Sequence, residues 1–181
     1  MTPPEGHALS PHDLDNLTLS HLTLSHLTLR PALPGDVDAL AVLHVAARRA
    51  GRMPPSLHSA DHVAAALTEA LTDDHVWVAE LEGRPVGYVR FVAPDATRRA
   101  WLDDLYVAPD AERQGIGSTL LDLVRAMLPD GFGLWVFAEN HPARRFYAAR
   151  GLVELGETDG SQNPEGAPEV EMAWEPTTPG G

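Results

Sequence analysis

The sequence predicts a mixed α/β fold, and three stretches carry that prediction. Leu102 to Leu121 passes from an extended apolar segment through a Pro-Asp break and a short polar loop into an apolar-periodic helix. His75 to Leu81 and Pro85 to Val92 are strand-like runs joined by Glu82-Gly83-Arg84, whose central glycine suits a tight hairpin turn. Gly133 to Phe137 is short and wholly apolar, as expected of a buried central strand. A chain of 181 residues with a hydrophobic share of 44% can bury one continuous core.

The remaining elements follow in order. Residues 14 to 29 hold a short repeat, LTLSH at 17 and at 22 and then LTLR at 27. A five-residue repeat turns a different residue set to each face on every copy, so only one copy can be the first strand. Leu27 to Arg30 is chosen, because Arg30-Pro31-Ala32 leads to Pro34-Gly35-Asp36 and a helical pattern with Val37, Leu40, Leu43 and His44 on one side. Residues 1 to 25 then read as a disordered extension or as the product of an upstream start codon. Gly51 to Ala60 is a loop, and Asp61 or Ser59 caps a second helix through Leu71.

After the hairpin, Ala100 to Val107 is the next strand, and a helix from Gly117 to about Leu128 is ended by Pro129-Asp130-Gly131. Residues 142 to 150 form another helix with Gly151 as its C′ residue, and Leu152 to Leu155 resume extended structure. Asp159 to Pro168 is a polar loop and Val170 to Trp174 a last strand. The domain therefore spans residues 26–175, with 176–181 a disordered tail.

Several function classes are disfavoured. No apolar run approaches the ~20 residues that cross a membrane, and the N-terminus lacks the basic and apolar regions of a secretory signal. The cytoplasm is the expected location. There are no cysteines, which removes disulfides, thiolate metal sites and thiol nucleophiles. Nine histidines show no metal-ligand spacing, so no metal is expected, and no GxSxG elbow is present. The 26 acidic and 13 basic residues give a net charge of -13, a field that repels nucleic acid and would attract a cationic substrate.

The stretch at 102–121 suggests a positive chemistry. The first N–H groups of a helix lack intrahelical partners and sit at the positive end of its dipole, so they bind anions. Glycine at 115 and 117 lets a phosphate approach the main chain. A Walker loop is excluded because GxxxxGK[ST] is absent, and the dinucleotide fingerprint fails because Leu120 stands where its third glycine belongs.

With its neighbours this stretch resembles the GNAT superfamily of N-acetyltransferases, whose acyl-CoA motif is [QR]-x-x-G-x-[GA] after a strand ending near Val-x-Pro. Glu112-Arg113-Gln114-Gly115-Ile116-Gly117 and Val107-x-Pro109 fit it, except that Glu112 replaces the usual Gln or Arg. Downstream, the family pattern N-x-x-A-x-x-F-Y-x-x-x-G-[FL] is met by Asn140, Ala143, Phe146, Tyr147, Gly151 and Leu152. The resemblance implies a mostly antiparallel sheet with acetyl-CoA held between splayed central strands and CoA as product. Cofactor contacts are then expected from Leu105, Tyr106, Val107, Glu112, Arg113, Gln114, Gly115, Ile116, Gly117, Ser118, Asn140 and Tyr147. A homodimer is a further implication.

Acetylating an amine requires a neutral nucleophile, yet an amine with pKa ~10.4 is only ~0.04% neutral at pH 7. Asp103 and Asp104 are the candidate bases: adjacent strand positions point to opposite faces, so only one should face a given pocket. The resemblance to polyamine-acetylating relatives favours Asp104, with a water chain as an alternative route. By the same resemblance Tyr147 is the general acid; a core tyrosine is the competing reading. Asn140 either contacts the cofactor or only caps a helix. The expected activity is acetyl transfer to a small-molecule amine in a ternary complex. A protein or peptide N-acetyltransferase and a non-catalytic acyl-CoA sensor are the alternatives.

Overall fold

The computed structural model describes residues 27–176. The expectations for residues 1–25 and for the tail after residue 176 lie outside them. Seven strands form one sheet in the order β1-β2-β3-β4-β5-β7-β6. They are β1 (Leu27–Pro31), β2 (His75–Leu81), β3 (Arg84–Val92), β4 (Trp101–Val107), β5 (Phe132–Phe137), β6 (Val153–Thr158) and β7 (Glu169–Trp174). Four α-helices connect them: α1 (Val37–Ala50), α2 (Ala60–Asp73), α3 (Ile116–Met127) and α4 (His141–Ala148). All pairings are antiparallel except β4 with β5, which is parallel and registers only at Trp101 and Gly133. No helix among the described residues is long and apolar enough to cross a membrane.

The third copy of the Leu-Thr repeat supplies β1, and Arg30 shows what distinguishes it. Its guanidinium bonds Asp36 at 2.7 and 2.8 Å and Glu80 at 2.7 Å, tying β1 to the start of α1 and to β2. The other copies carry Ser20 and Ser25 at the matching place. Ser59, rather than Asp61, caps α2, its hydroxyl accepting from the His62 N–H at 3.2 Å. In the β2–β3 turn Glu82 and Gly83 both have positive φ, 51° and 78°, which matches the twist of the flanking strands.

Leu120, Leu121, Leu123 and Val124 bury one side of α3. Gly87 on β3 allows the close approach: a Cβ there would lie 3.1 to 3.2 Å from Leu120 and Ile116. α1 lies beside His44's partners, with the His44 ring 4.3 Å from that of Tyr106.

Two expectations need correction. Asp103 and Asp104 do not follow simple alternation, because the β3–β4 register shifts between Arg90 and Phe91: Arg90 faces Asp104 and Phe91 faces Leu102, so Asp103 is an extra residue in β4. At such a bulge two consecutive side chains oppose one partner residue. Both carboxylates thus reach Arg90. Nor is β5 wholly buried, for Trp135 is 42% exposed, because β5 borders the gap that opens beside β4.

Candidate active site

Past Trp101 and Gly133, β4 and β5 diverge. The gap widens into a cavity of about 830 Å³ lined on one side by Asp103, Leu105, Tyr106 and Val107 and on the other by Trp135, Val136 and Phe137. Between the strands, β4 main-chain groups that a ladder would satisfy are left free for a ligand.

At one end stands the loop before α3. Gly115 adopts φ 86° and is the N-cap residue of α3, a conformation that favours glycine. By helix geometry the N–H groups of Ile116, Gly117 and Ser118 have no carbonyl four residues back within α3. A Cβ on Gly117 would meet Phe146 at 3.5 Å and Val107 at 3.7 Å, which are ordinary contacts. The protein's own packing therefore does not demand glycine there, while the room it leaves opens on the cavity wall.

Arg113, at φ 60°, Glu112 and Ser118 also line this end. Arg150 joins them: its guanidinium stacks 3.9 Å from the Phe146 ring centroid and donates to the Phe146 carbonyl at 3.0 Å and to the Ser118 hydroxyl. Free helix-end donors with two guanidinium groups are the donor set a pyrophosphate needs, so these residues fit the phosphates of acyl-CoA. Ile116 is buried and Gln114 leans back on the Asp110 carbonyl at 3.4 Å, so neither side chain lines the cavity.

The other end carries the carboxylates. Arg90 Nε donates to Asp104 at 2.7 Å, and its Nη1 lies 3.1 Å from Asp74 and 3.4 Å from Asp103. Asp103 lines the cavity and Asp104 does not. Burial pushes the Asp103 carboxyl above its ordinary range, opposed by the charge of Arg90 and reinforced by Asp104 and Asp74. Asp104 instead takes part in a buried network with Tyr88, whose hydroxyl stands 2.7 Å from His44 Nδ1. Burial holds His44 below its usual pKa, favouring the neutral ring.

Tyr147 lies on α4, is 9% exposed and faces the cavity. Burial pushes its phenol well above the ordinary value, with Tyr106 and Asp104 adding to the effect, so the hydroxyl keeps its proton at neutral pH. Asn140 caps α4, its Oδ1 accepting from the Ala143 N–H at 3.3 Å, and it also lines the cavity.

Gly51, Arg52 and Met53, which follow α1, also line the cavity. Arg48 bonds Glu165 of the β6–β7 loop at 2.8 Å, with side chains only 9% and 7% exposed, and reaches the Pro54 carbonyl at 3.4 Å. Arg90, Arg150 and the Arg48–Glu165 pair were not singled out from sequence. Arg150 stands four residues beyond Phe146 in the second motif, a usable signal; the other partners meet only through the fold.

An open parallel pair in an otherwise antiparallel sheet, with a glycine loop and helix end beside the opening, defines a cleft of the acyl-CoA type. Residues 43–152 match the acetyltransferase (GNAT) family, and the protein belongs to that family. The chain is 39% identical over 86 residues to a probable N-acetyltransferase of Mycobacterium tuberculosis, covering 46% of this chain and 49% of the relative. It is 34% identical over 90 residues to the peptidyl-lysine N-acetyltransferase YiaC of Escherichia coli, covering 49% and 58%. The matched region thus spans about half of each of these relatives. The fold is shared with a PaiA N-acetyltransferase of Thermoplasma acidophilum solved in complex with coenzyme A, at TM-score 0.67 and 17% identity over 83% of this chain and 99% of that one.

Proposed function

We propose that the protein is an acetyl-CoA-dependent N-acetyltransferase acting on the primary amine of a small molecule by direct transfer. The reading rests on one observation: the glycine loop, a carboxylate and a phenol that keeps its proton all line the same cavity. The α3 N–H groups, Arg113 and Arg150 would hold the phosphates, and the open edge of β4 with Asn140 would hold the pantetheine arm. When bound, acetyl-CoA supplies an activated acyl group.

Asp103 attracts the acceptor ammonium and accepts its proton, directly or through water, leaving the neutral amine as nucleophile. Tyr147 holds a proton at its hydroxyl for the departing sulfur. The structure favours Asp103 over Asp104 for the first role, because Asp104 is engaged by Arg90 and Tyr88 away from the cavity.

The small acceptor is favoured by the Arg48–Glu165 pair, which ties the last turn of α1 to the β6–β7 loop, beside the cavity-lining residues Ala47 and Gly51 in sequence. An extended peptide needs those two segments apart. A second reading, acetylation of a peptide lysine, is favoured by the similarity to the peptidyl-lysine enzyme. Both are tested by following CoA thiol release with a panel of small primary amines and with lysine-containing peptides. Faster release with small amines is the expected result, and release with peptides alone would reverse the assignment. Acetyl-CoA binding without release for any amine would leave a binding domain.

A further inference from the structure

Arg90 lies outside both sequence motifs and does not line the cavity, yet it is the centre of the charged cluster at the acceptor end. One guanidinium serves three carboxylates: Asp104 opposite it on β4, Asp103 in the bulge, and Asp74 just before β2. Its side chain is only 29% exposed, and those of Asp74, Asp103 and Asp104 are 17%, 27% and 14% exposed. Three acids around one base leave a formal charge of −2 if all are ionised. Crowded carboxylates resist simultaneous ionisation unless a cation offsets them.

We infer that Arg90 is a positioning residue for the transfer reaction, turning the Asp103 carboxylate toward the acceptor and keeping it charged while Asp104 and Asp74 anchor the guanidinium. The inference rests on the reading of Asp103 as proton acceptor. The bulge is what makes it work: without the extra residue, Asp103 and Asp104 would point to opposite faces and one guanidinium could not reach both. The planar fork matters too, since Nε holds Asp104 while Nη1 lies between Asp74 and Asp103. A lysine offers charge at one point only.

The charged groups around Asp103 come from several elements. Arg90 on β3 and Arg98 in the β3–β4 loop favour its ionised form, and Asp104 on β4 and Asp74 before β2 oppose it. Arg52 after α1 and Glu169 on β7 line the same cavity. Arg90 is the cation in contact with it.

The test is the pH dependence of kcat/KM for amine acetylation in wild type, Arg90→Gln, Arg90→Lys and Asp103→Asn, with acetyl-CoA affinity measured by calorimetry on each. Removing an adjacent opposite charge shifts a carboxyl by roughly one to three units. Arg90→Gln is therefore expected to move the acidic limb upward by at least about one pH unit, with acetyl-CoA affinity retained. Arg90→Lys should restore the position of the limb but only part of the rate. Asp103→Asn should abolish the limb.

A limb that stays in place in Arg90→Gln, while Asp103→Asn abolishes it, overturns the role of Arg90 alone. A limb that survives Asp103→Asn overturns the reading of Asp103 on which it rests. Should Arg90→Gln fail to fold, Asp74→Asn, which removes one competitor for the guanidinium, should move the limb downward; no movement would overturn the inference.

Discussion

At the loop end of the cavity the groups offered to a ligand are main-chain N–H donors at the start of α3, set by the left-handed backbone of Gly115 and backed by Arg113 and Arg150. At the acceptor end they are side chains, chiefly Asp103 and Tyr147, placed by a strand bulge and by a buried helix face. Short of a proline, substitution does not delete a main-chain donor; it can only obstruct or misdirect it. A carboxylate or phenol can be removed with almost no change of shape. Added bulk should therefore damage binding at the loop, and isosteric replacement should damage chemistry at the acceptor end.

The largest effect is expected from Tyr147→Phe, which keeps the packed ring and removes only the proton donor. It should lower kcat on the order of a hundredfold and leave acetyl-CoA affinity unchanged, as steady-state kinetics beside calorimetry would show. Asp103→Asn should cost about tenfold or more in kcat/KM. Asp104→Asn should move the acidic limb downward, as Asp74→Asn does, without abolishing it, and should also destabilise the fold by about 1–2 kcal/mol in urea unfolding, through loss of a partly buried charged hydrogen bond to Arg90.

Asp103 also makes stability respond to pH. The folded state binds the Asp103 proton more tightly than the unfolded chain does. Its contribution is present below the ordinary carboxyl value and is lost as pH rises through the raised folded value. Asp103→Asn should flatten that part of the stability curve and leave the protein no less stable at neutral pH. Gly115→Ala, by contrast, forces a Cβ into left-handed backbone at a cost of about 1–2 kcal/mol, read in urea unfolding. The smallest effect is expected from Glu165→Gln, a few-fold rise in KM for small amines together with new acceptance of lysine peptides.

The loop end was legible in the sequence because its chemistry is local: Gly115, Gly117 and the following helix are consecutive. At the acceptor end Tyr147 was marked by its own short motif, but the arrangement of the carboxylates was not. Alternation assigned Asp103 and Asp104 to opposite faces, and only the pairing with β3 reveals the bulge that brings both to Arg90. Arg48 and Glu165 are joined across most of the chain, and nothing in either local sequence marks the other. Trp135 looked like core because its neighbours are apolar; its exposure comes from the divergence of β4 and β5, which no run of residues encodes. The strands and helices themselves were found to within a few residues, since apolar periodicity and turn residues mark them directly.

The division of labour between the two ends is tested most directly by titrating acetyl-CoA calorimetrically into wild type, Gly117→Val and Asp103→Asn. Wild type should bind one equivalent, Gly117→Val should bind about tenfold or more weakly, near 1.4 kcal/mol in binding free energy, and Asp103→Asn should match wild type. Equal affinity in Gly117→Val, or a loss in Asp103→Asn as large as that in the loop variant, would contradict it.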